Sequence, residues 1–186
     1  MLIMACHYSV VTKSKDSDNI YRKFLKELIE VIFIHDKKQN REYLEKIERI
    51  RRIVEDERIQ NPFLEYLKRI SEIIKKYKLN GDFTWTFERV RDHLHDDGLR
   101  KAISRYLTLG DNEEEVELYL ALTIAHVISH NNARSIKVPY EAVEEATKAL
   151  NEYLRRKGYQ KVLREKDLEK NEPSELYKKV IIANKH

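Results

Sequence analysis

The chain has 186 residues, a length typical of one domain, and 37% of them are charged while 41% are hydrophobic. Four glycines and three prolines are too few for the tight turns of an all-β sandwich or barrel, and a single cysteine excludes a scaffold held by internal disulfides. The net charge of +4 is too small to identify a nucleic-acid-binding protein by itself. We therefore expect an all-α, cytoplasmic protein with a composition rich in Lys, Arg and Glu, as in thermophiles.

Three helices are predicted in the N-terminal part of the chain. Residues 1–17 have no basic n-region or cleavage site of a signal peptide, and we expect a mobile arm or a short strand there. Apolar residues spaced by three and four then predict helices over 20–33, 43–54 and 63–77. Pro62 marks the start of the third helix, because proline at the first helical position loses no hydrogen bond.

Two shorter predicted helices, 84–94 and 99–109, are joined by only four residues. This pair resembles the helix-turn-helix of DNA-binding proteins, and the resemblance implies that its second helix would meet the phosphate backbone. The cations placed for such contacts are Arg100, Lys101 and Arg105. The positions that depart from the motif, where small or apolar residues are expected, are Asp92, His93 and Asp96.

The segment 113–130 is apolar on nearly every side, which is typical of a helix surrounded by other helices. We therefore predict a single-domain, all-α bundle of about seven to nine helices around this central helix. Residues 1–158 are predicted to form the helical domain. Residues 159–186 are predicted to be a basic, weakly packed helical appendage.

Charge is unevenly distributed along the chain. Residues 1–94 carry 20 basic and 16 acidic side chains, residues 95–152 carry 6 and 11, and residues 153–186 carry 10 and 5. A basic segment with interleaved tyrosines suits phosphate contacts and base stacking. The predicted nucleic-acid-binding residues of this segment are Arg155, Arg156, Lys157, Lys161 and Arg164.

Histidines form the main enzymatic candidate. His126 and His130 lie four residues apart on one face of the central helix, and His93 and His95 lie upstream; this spacing can supply zinc ligands. Val127 occupies the position of the catalytic glutamate in the metalloprotease motif, so the general base of that mechanism is missing. We therefore predict no metal ligand, no catalytic residue and no cofactor.

The spacing from Arg89 to His95 matches a motif of Arg, four to six residues and His. In this respect the segment resembles helical ribonucleases of the HEPN type, and the resemblance implies RNA cleavage that depends on His95.

The sequence thus predicts a non-enzymatic helical protein that binds DNA or RNA through its basic C-terminal patch. One alternative is an adaptor subunit that binds a protein partner or a second copy through apolar helix stripes such as Tyr43, Ile47, Ile50 and Val54. A second alternative is a HEPN-type ribonuclease or a metal-dependent hydrolase that uses His93, His95, His126 and His130. No membrane association is predicted, since every apolar stretch is far shorter than about 20 residues.

Overall fold

The computed structural model describes residues 2–34, 41–79, 84–130 and 138–184. Within these ranges the regular elements are nine α-helices and one 3₁₀ helix, which confirms the prediction of an all-α fold with about seven to nine helices. The chain forms two compact units, Met1–Ile59 and Gln60–His186. No helix in the described ranges has the length and apolar character needed to cross a membrane.

The first unit is a pair of helices, α1 (Leu2–Phe33) and α2 (Arg41–Glu55). The sequence analysis predicts a mobile arm or a short strand at the N-terminus. Residues 2–17 are helical in the structure. The narrow apolar stripe of α2 is buried, and α2 packs on α1. Two ion pairs join the helices, Lys46 to Glu30 at 2.7 Å and Arg49 to Glu27 at 3.0 Å.

The second unit contains the remaining helices. In chain order these are α3 (Pro62–Lys76), α4 (Thr84–Arg91), the 3₁₀ helix (Asp92–His95), α5 (Asp97–Leu109), α6 (Glu113–Ser129), α7 (Tyr140–Arg156), α8 (Glu165–Lys170) and α9 (Pro173–Asn184). The start of α3 is the one predicted from the sequence: the Asn61 side chain accepts hydrogen bonds from the amides of Phe63 and Leu64.

Helix α6 is the centre of this unit, as predicted. Every residue from Val116 to Ser129 is buried, and α6 contacts α3, α4, α5, α7, α8 and α9. When other helices cover every face of a helix that is apolar on all sides, the largest apolar area is removed from water, which is favourable. The backbone of α6 also accepts a hydrogen bond from a neighbouring helix: the Tyr66 hydroxyl of α3 donates to the carbonyl of Ala121 at 2.8 Å.

The C-terminal segment contributes to the same core. Helices α8 and α9 both contact α6, and apolar side chains of this segment are buried, although Ile182 of α9 is 56% exposed. The buried residues of this segment are Leu163, Leu168, Pro173, Leu176 and Val180. This packing matters for function, because it places the short connection between α8 and α9 beside α6.

Candidate metal centre

Three elements of the second unit bring two histidines and a glutamate together. His93 lies in the 3₁₀ helix, His126 on α6, and Glu172 between α8 and α9. One possible ligand atom from each lies within 4.8 Å of the other two. The Glu172 Oε2 atom is 3.4 Å from His93 Nδ1 and 4.0 Å from His126 Nε2. The rings of His93 and His126 meet edge to face, with centroids 4.8 Å apart.

The position of His93 follows from a sharp turn between α4 and α5. The chain leaves α4 through a single 3₁₀ turn, and the buried Asp96 carboxylate then caps α5 by accepting a hydrogen bond from the Leu99 amide at 3.0 Å. This is the short connection that resembles a helix-turn-helix in the sequence. Its effect in the structure is to turn His93 toward α6.

His126 is held in one tautomer by α8. Its Nδ1 atom is 2.5 Å from the carbonyl oxygen of Leu168, and since a carbonyl can only accept, Nδ1 carries the proton. The other ring nitrogen, Nε2, therefore presents a lone pair toward Glu172. A histidine that donates one ring N–H to a backbone carbonyl and offers the other nitrogen is the usual arrangement of metal-binding histidines.

The two other histidines flank this pair. The His130 ring stacks on that of His126 with centroids 5.0 Å apart, and its Nδ1 atom lies 3.2 Å from the carbonyl of Glu169. His95 is exposed, its ring centroid is 5.7 Å from that of His93, and its Nδ1 contacts the carbonyl of Asp92. All four histidines selected from the sequence therefore lie in one cluster.

Glu172 is positioned by the residues that follow it. The Asp96 carboxylate that caps α5 also accepts hydrogen bonds from the amide and the hydroxyl of Ser174, at 3.1 and 2.9 Å. The start of α5 approaches both α6 and the start of α9 closely at Gly98. A Cβ atom on this residue would lie 2.5 Å from the Tyr119 hydroxyl and 2.8 Å from the Ser174 Cβ. Only glycine fits this contact without displacement of its neighbours.

Three atoms of the cluster lack a hydrogen-bond partner among the described residues. They are His93 Nδ1, His126 Nε2 and Glu172 Oε2, and each atom is buried. Most buried polar atoms in proteins are hydrogen-bonded, and an unsatisfied one costs about 1–3 kcal/mol. Three such atoms within 4.8 Å of one another are an arrangement that a bound cation would satisfy.

The protonation state of the cluster suits a cation. Burial lowers the pKa of His93, against the opposing effect of the Glu172 carboxylate. Burial likewise lowers the pKa of His126. Both imidazoles are therefore neutral at neutral pH, and the neutral form is the one that binds metal ions.

The predicted nucleic-acid-binding residues have a different environment. Arg155 pairs with Glu152 at 2.6 Å, and Arg156 pairs with Glu65. Farther away, Arg100 pairs with Asp97 at 2.5 Å and Arg105 with Asp111 at 2.9 Å. Lys157 contacts two carboxylates, those of Glu117 at 3.3 Å and Glu114 at 3.7 Å.

Three of the eight predicted cations, Lys101, Lys161 and Arg164, have no ion pair with another described residue. The interleaved aromatic residues are less available: Tyr153 is buried and Tyr159 is half-buried. The arginine of the HEPN-like spacing, Arg89, stacks on the ring of Trp85 at 4.7 Å.

Glu172 is the residue of the candidate site that the sequence did not indicate. It lies in a segment rich in charge, where one more glutamate carries no signal of its own. The only available clue was Pro173, which starts a helix and so places Glu172 at a turn.

Comparison with protein-family models, curated proteins and solved structures finds no match for this chain. Function therefore has to be inferred from the side chains themselves.

Proposed function

We propose that this protein binds one divalent transition-metal ion, with zinc as the best fit, through His93, His126 and Glu172. The observation that supports the proposal is the convergence of three buried ligand atoms that lack other partners. Of the functions considered from the sequence, this arrangement favours the metal-dependent one over nucleic-acid binding.

The distances suit a zinc ion after a small closure of the site. Zinc binds nitrogen and carboxylate oxygen at about 2.0–2.2 Å in tetrahedral geometry, so its ligand atoms lie roughly 3.3 Å from one another. His93 Nδ1 and Glu172 Oε2 are already 3.4 Å apart, and His126 Nε2 must approach Glu172 from 4.0 Å. The three ligand atoms lie within 4.8 Å of one another, so the two histidines must also close on the ion. Glu172 can make its part of this movement, because its side chain is 46% exposed while His126 is 1% exposed.

The donor set also indicates the class of site. Structural zinc sites are closed by four protein ligands, whereas two histidines and one carboxylate with an open fourth position are typical of hydrolytic sites. A metal in such a site supplies a bound water of lowered pKa. The protein's own contribution is to exclude solvent around His126 and to hold both imidazoles neutral.

The test is a metal titration of the full chain after dialysis against EDTA. Isothermal titration with Zn²⁺ is expected to show one ion per chain, and Co²⁺ is expected to give the absorption spectrum of tetrahedral coordination. Glu172→Gln and His93→Gln should each weaken zinc binding by more than the roughly 10- to 100-fold that loss of an outer-shell partner costs.

Matched controls are available in the same segments. Glu175→Gln removes an exposed glutamate of α9, and His95→Gln removes the exposed histidine beside His93; neither change should alter zinc affinity. Urea unfolding of each variant separates loss of binding from loss of folding. The proposal would be overturned if Glu172→Gln and His93→Gln bind zinc with the same affinity as the control variants.

Nucleic-acid binding is the second candidate function. It is favoured by the exposed Lys101 and Arg164 and the half-buried Lys161, which carry no ion pair with the described residues. Cations without internal partners are the ones able to neutralise phosphates at little cost.

A salt titration with single- and double-stranded oligonucleotides tests this second candidate. Affinity should fall steeply with salt, and Lys161→Gln with Arg164→Gln should lower the slope by about one for each phosphate contact removed. Lys148→Gln, an exposed cation of α7, is the control. An unchanged slope in the double variant would remove this candidate.

A further inference from the structure

A second feature of the same unit is a cavity of about 420 Å³. It is lined by residues from the end of α6, the start of α7 and the segment around α8. This volume lies in the range of small-molecule sites, which are about 300–1,000 Å³ and combine an apolar wall with a few polar groups. None of its lining residues is one of the three proposed metal ligands, so the cavity is a separate candidate site.

One of the residues that line the cavity has a buried hydroxyl without a hydrogen-bond partner in the described part of the chain. Ser129 is 3% exposed, and its Oγ atom has no hydrogen bond to any described residue. Thr123 and Thr147 differ from it, because each donates to the carbonyl four residues earlier, at 2.6 and 2.7 Å. The Ser129 hydroxyl is therefore a donor and acceptor that the helix does not use.

The wall of the cavity at and before the start of α7 is apolar and aromatic. Val138 and Val143 are buried there, and the ring of Tyr140 is 62% exposed. An exposed aromatic ring next to buried valines is a surface on which a flat ring can stack.

Four charged side chains complete the lining. Arg164, Lys166 and Glu169 are exposed and Glu165 is half-buried, and none of the four has an ion pair with the described part of the chain. Arginine and lysine bind phosphate, while carboxylates accept hydrogen bonds from amino groups. A ligand that uses all four charges carries both a phosphate and an amino group.

We infer that this cavity binds a nucleoside monophosphate whose base carries an amino group. The phosphate lies against Arg164 and Lys166, and the base stacks on Tyr140. The Ser129 hydroxyl bonds a polar edge of the base or the sugar. Inorganic phosphate alone would leave the apolar wall unused.

The experiment is a calorimetric titration of the EDTA-dialysed full chain with AMP, adenosine, UMP and inorganic phosphate. AMP should bind most tightly, because adenosine lacks the phosphate, UMP lacks the amino group and inorganic phosphate lacks the base. Arg164→Gln should weaken AMP binding about ten- to a hundred-fold and leave adenosine binding unchanged. Tyr140→Ala should weaken AMP and adenosine alike.

Ser129→Ala provides an internal check, with a loss in AMP affinity of roughly fivefold. Lys148→Gln, on the exposed side of α7, is the matched control and should bind AMP as the unchanged protein does. Arg164 and Tyr140 are exposed, so their variants keep the fold and the test remains decisive if Ser129→Ala unfolds. The proposal is overturned if inorganic phosphate binds as tightly as AMP, or if AMP binding is absent or equal in Arg164→Gln and Lys148→Gln.

Discussion

The histidine cluster and the basic surface around Arg155 differ in what surrounds their polar groups. In the cluster, three polar atoms are buried and make no hydrogen bond to a described residue, although His93 Nδ1 and Glu172 Oε2 lie 3.4 Å apart. On the basic surface, Arg155, Arg156 and Lys157 each lie beside a carboxylate of the chain itself. A high local density of charge is therefore weak evidence of a binding site in a protein with 36 basic and 32 acidic residues. Missing hydrogen-bond partners in a buried place are stronger evidence, because they cost free energy that a bound ion, ligand or water recovers.

The largest expected effect is that of Asp96→Ala, because Asp96 supports the cluster. The change removes the cap of α5 and two hydrogen bonds to Ser174. The free energy of unfolding should fall by about 2–4 kcal/mol in urea denaturation. Zinc affinity should also fall about 10- to 100-fold, since Glu172 loses its support.

Asp97→Ala is the control for this change. Asp97 is exposed and pairs with Arg100 on the same helix, so its loss should affect stability far less. Equal effects of the two substitutions on both stability and zinc affinity would show that Asp96 does not position Glu172.

The next largest expected effect is a difference in stability between substitutions at Lys157 and Arg155 on the basic surface. Lys157 faces the Glu117 carboxylate, which is 2% exposed and also accepts a hydrogen bond from Tyr153 at 2.6 Å. Lys157→Ala should lower the free energy of unfolding by about 1–3 kcal/mol, because it leaves a buried carboxylate without its cation. Arg155→Ala, which breaks only an exposed pair, should produce no measurable change. Similar results for the two variants would contradict the structural role of Lys157.

The smallest expected effect is the contribution of the Asp96 carboxyl to the pH dependence of the free energy of unfolding. Burial alone would raise the pKa of this carboxyl, but hydrogen bonds from Leu99 and Ser174 outweigh it and lower the pKa below its ordinary 3.8. Asp96 therefore contributes stability above pH 3.8, and this contribution is lost as pH falls through the lower pKa of the folded state. The difference in unfolding free energy between the unchanged protein and Asp96→Asn should shrink over that interval. A constant difference from neutral to acid pH would contradict this.

Much of the fold could be predicted because its signals are local. The start of α3 at Pro62 and the apolar run of α6 depend on residues within a few positions of one another. The pairing of His126 with His130 was predicted for the same reason, since residues four apart share a helix face. The partner of Lys157 was not predictable, because Glu117 lies on another helix.

The amino-acid sequence by itself determined most of the helices and the burial of α6, because periodicity and capping are properties of neighbouring residues, but it did not indicate that α1 begins at Leu2. Only the tertiary structure decided where the polar groups meet: the bond from Ser174 to Asp96 spans 78 residues of chain and sets Glu172 beside His93 and His126. The physical reason is desolvation. The sequence does not show whether a histidine or a glutamate is exposed to water or buried in a core. Its hydrogen-bonding needs change only when packed helices remove the water around it.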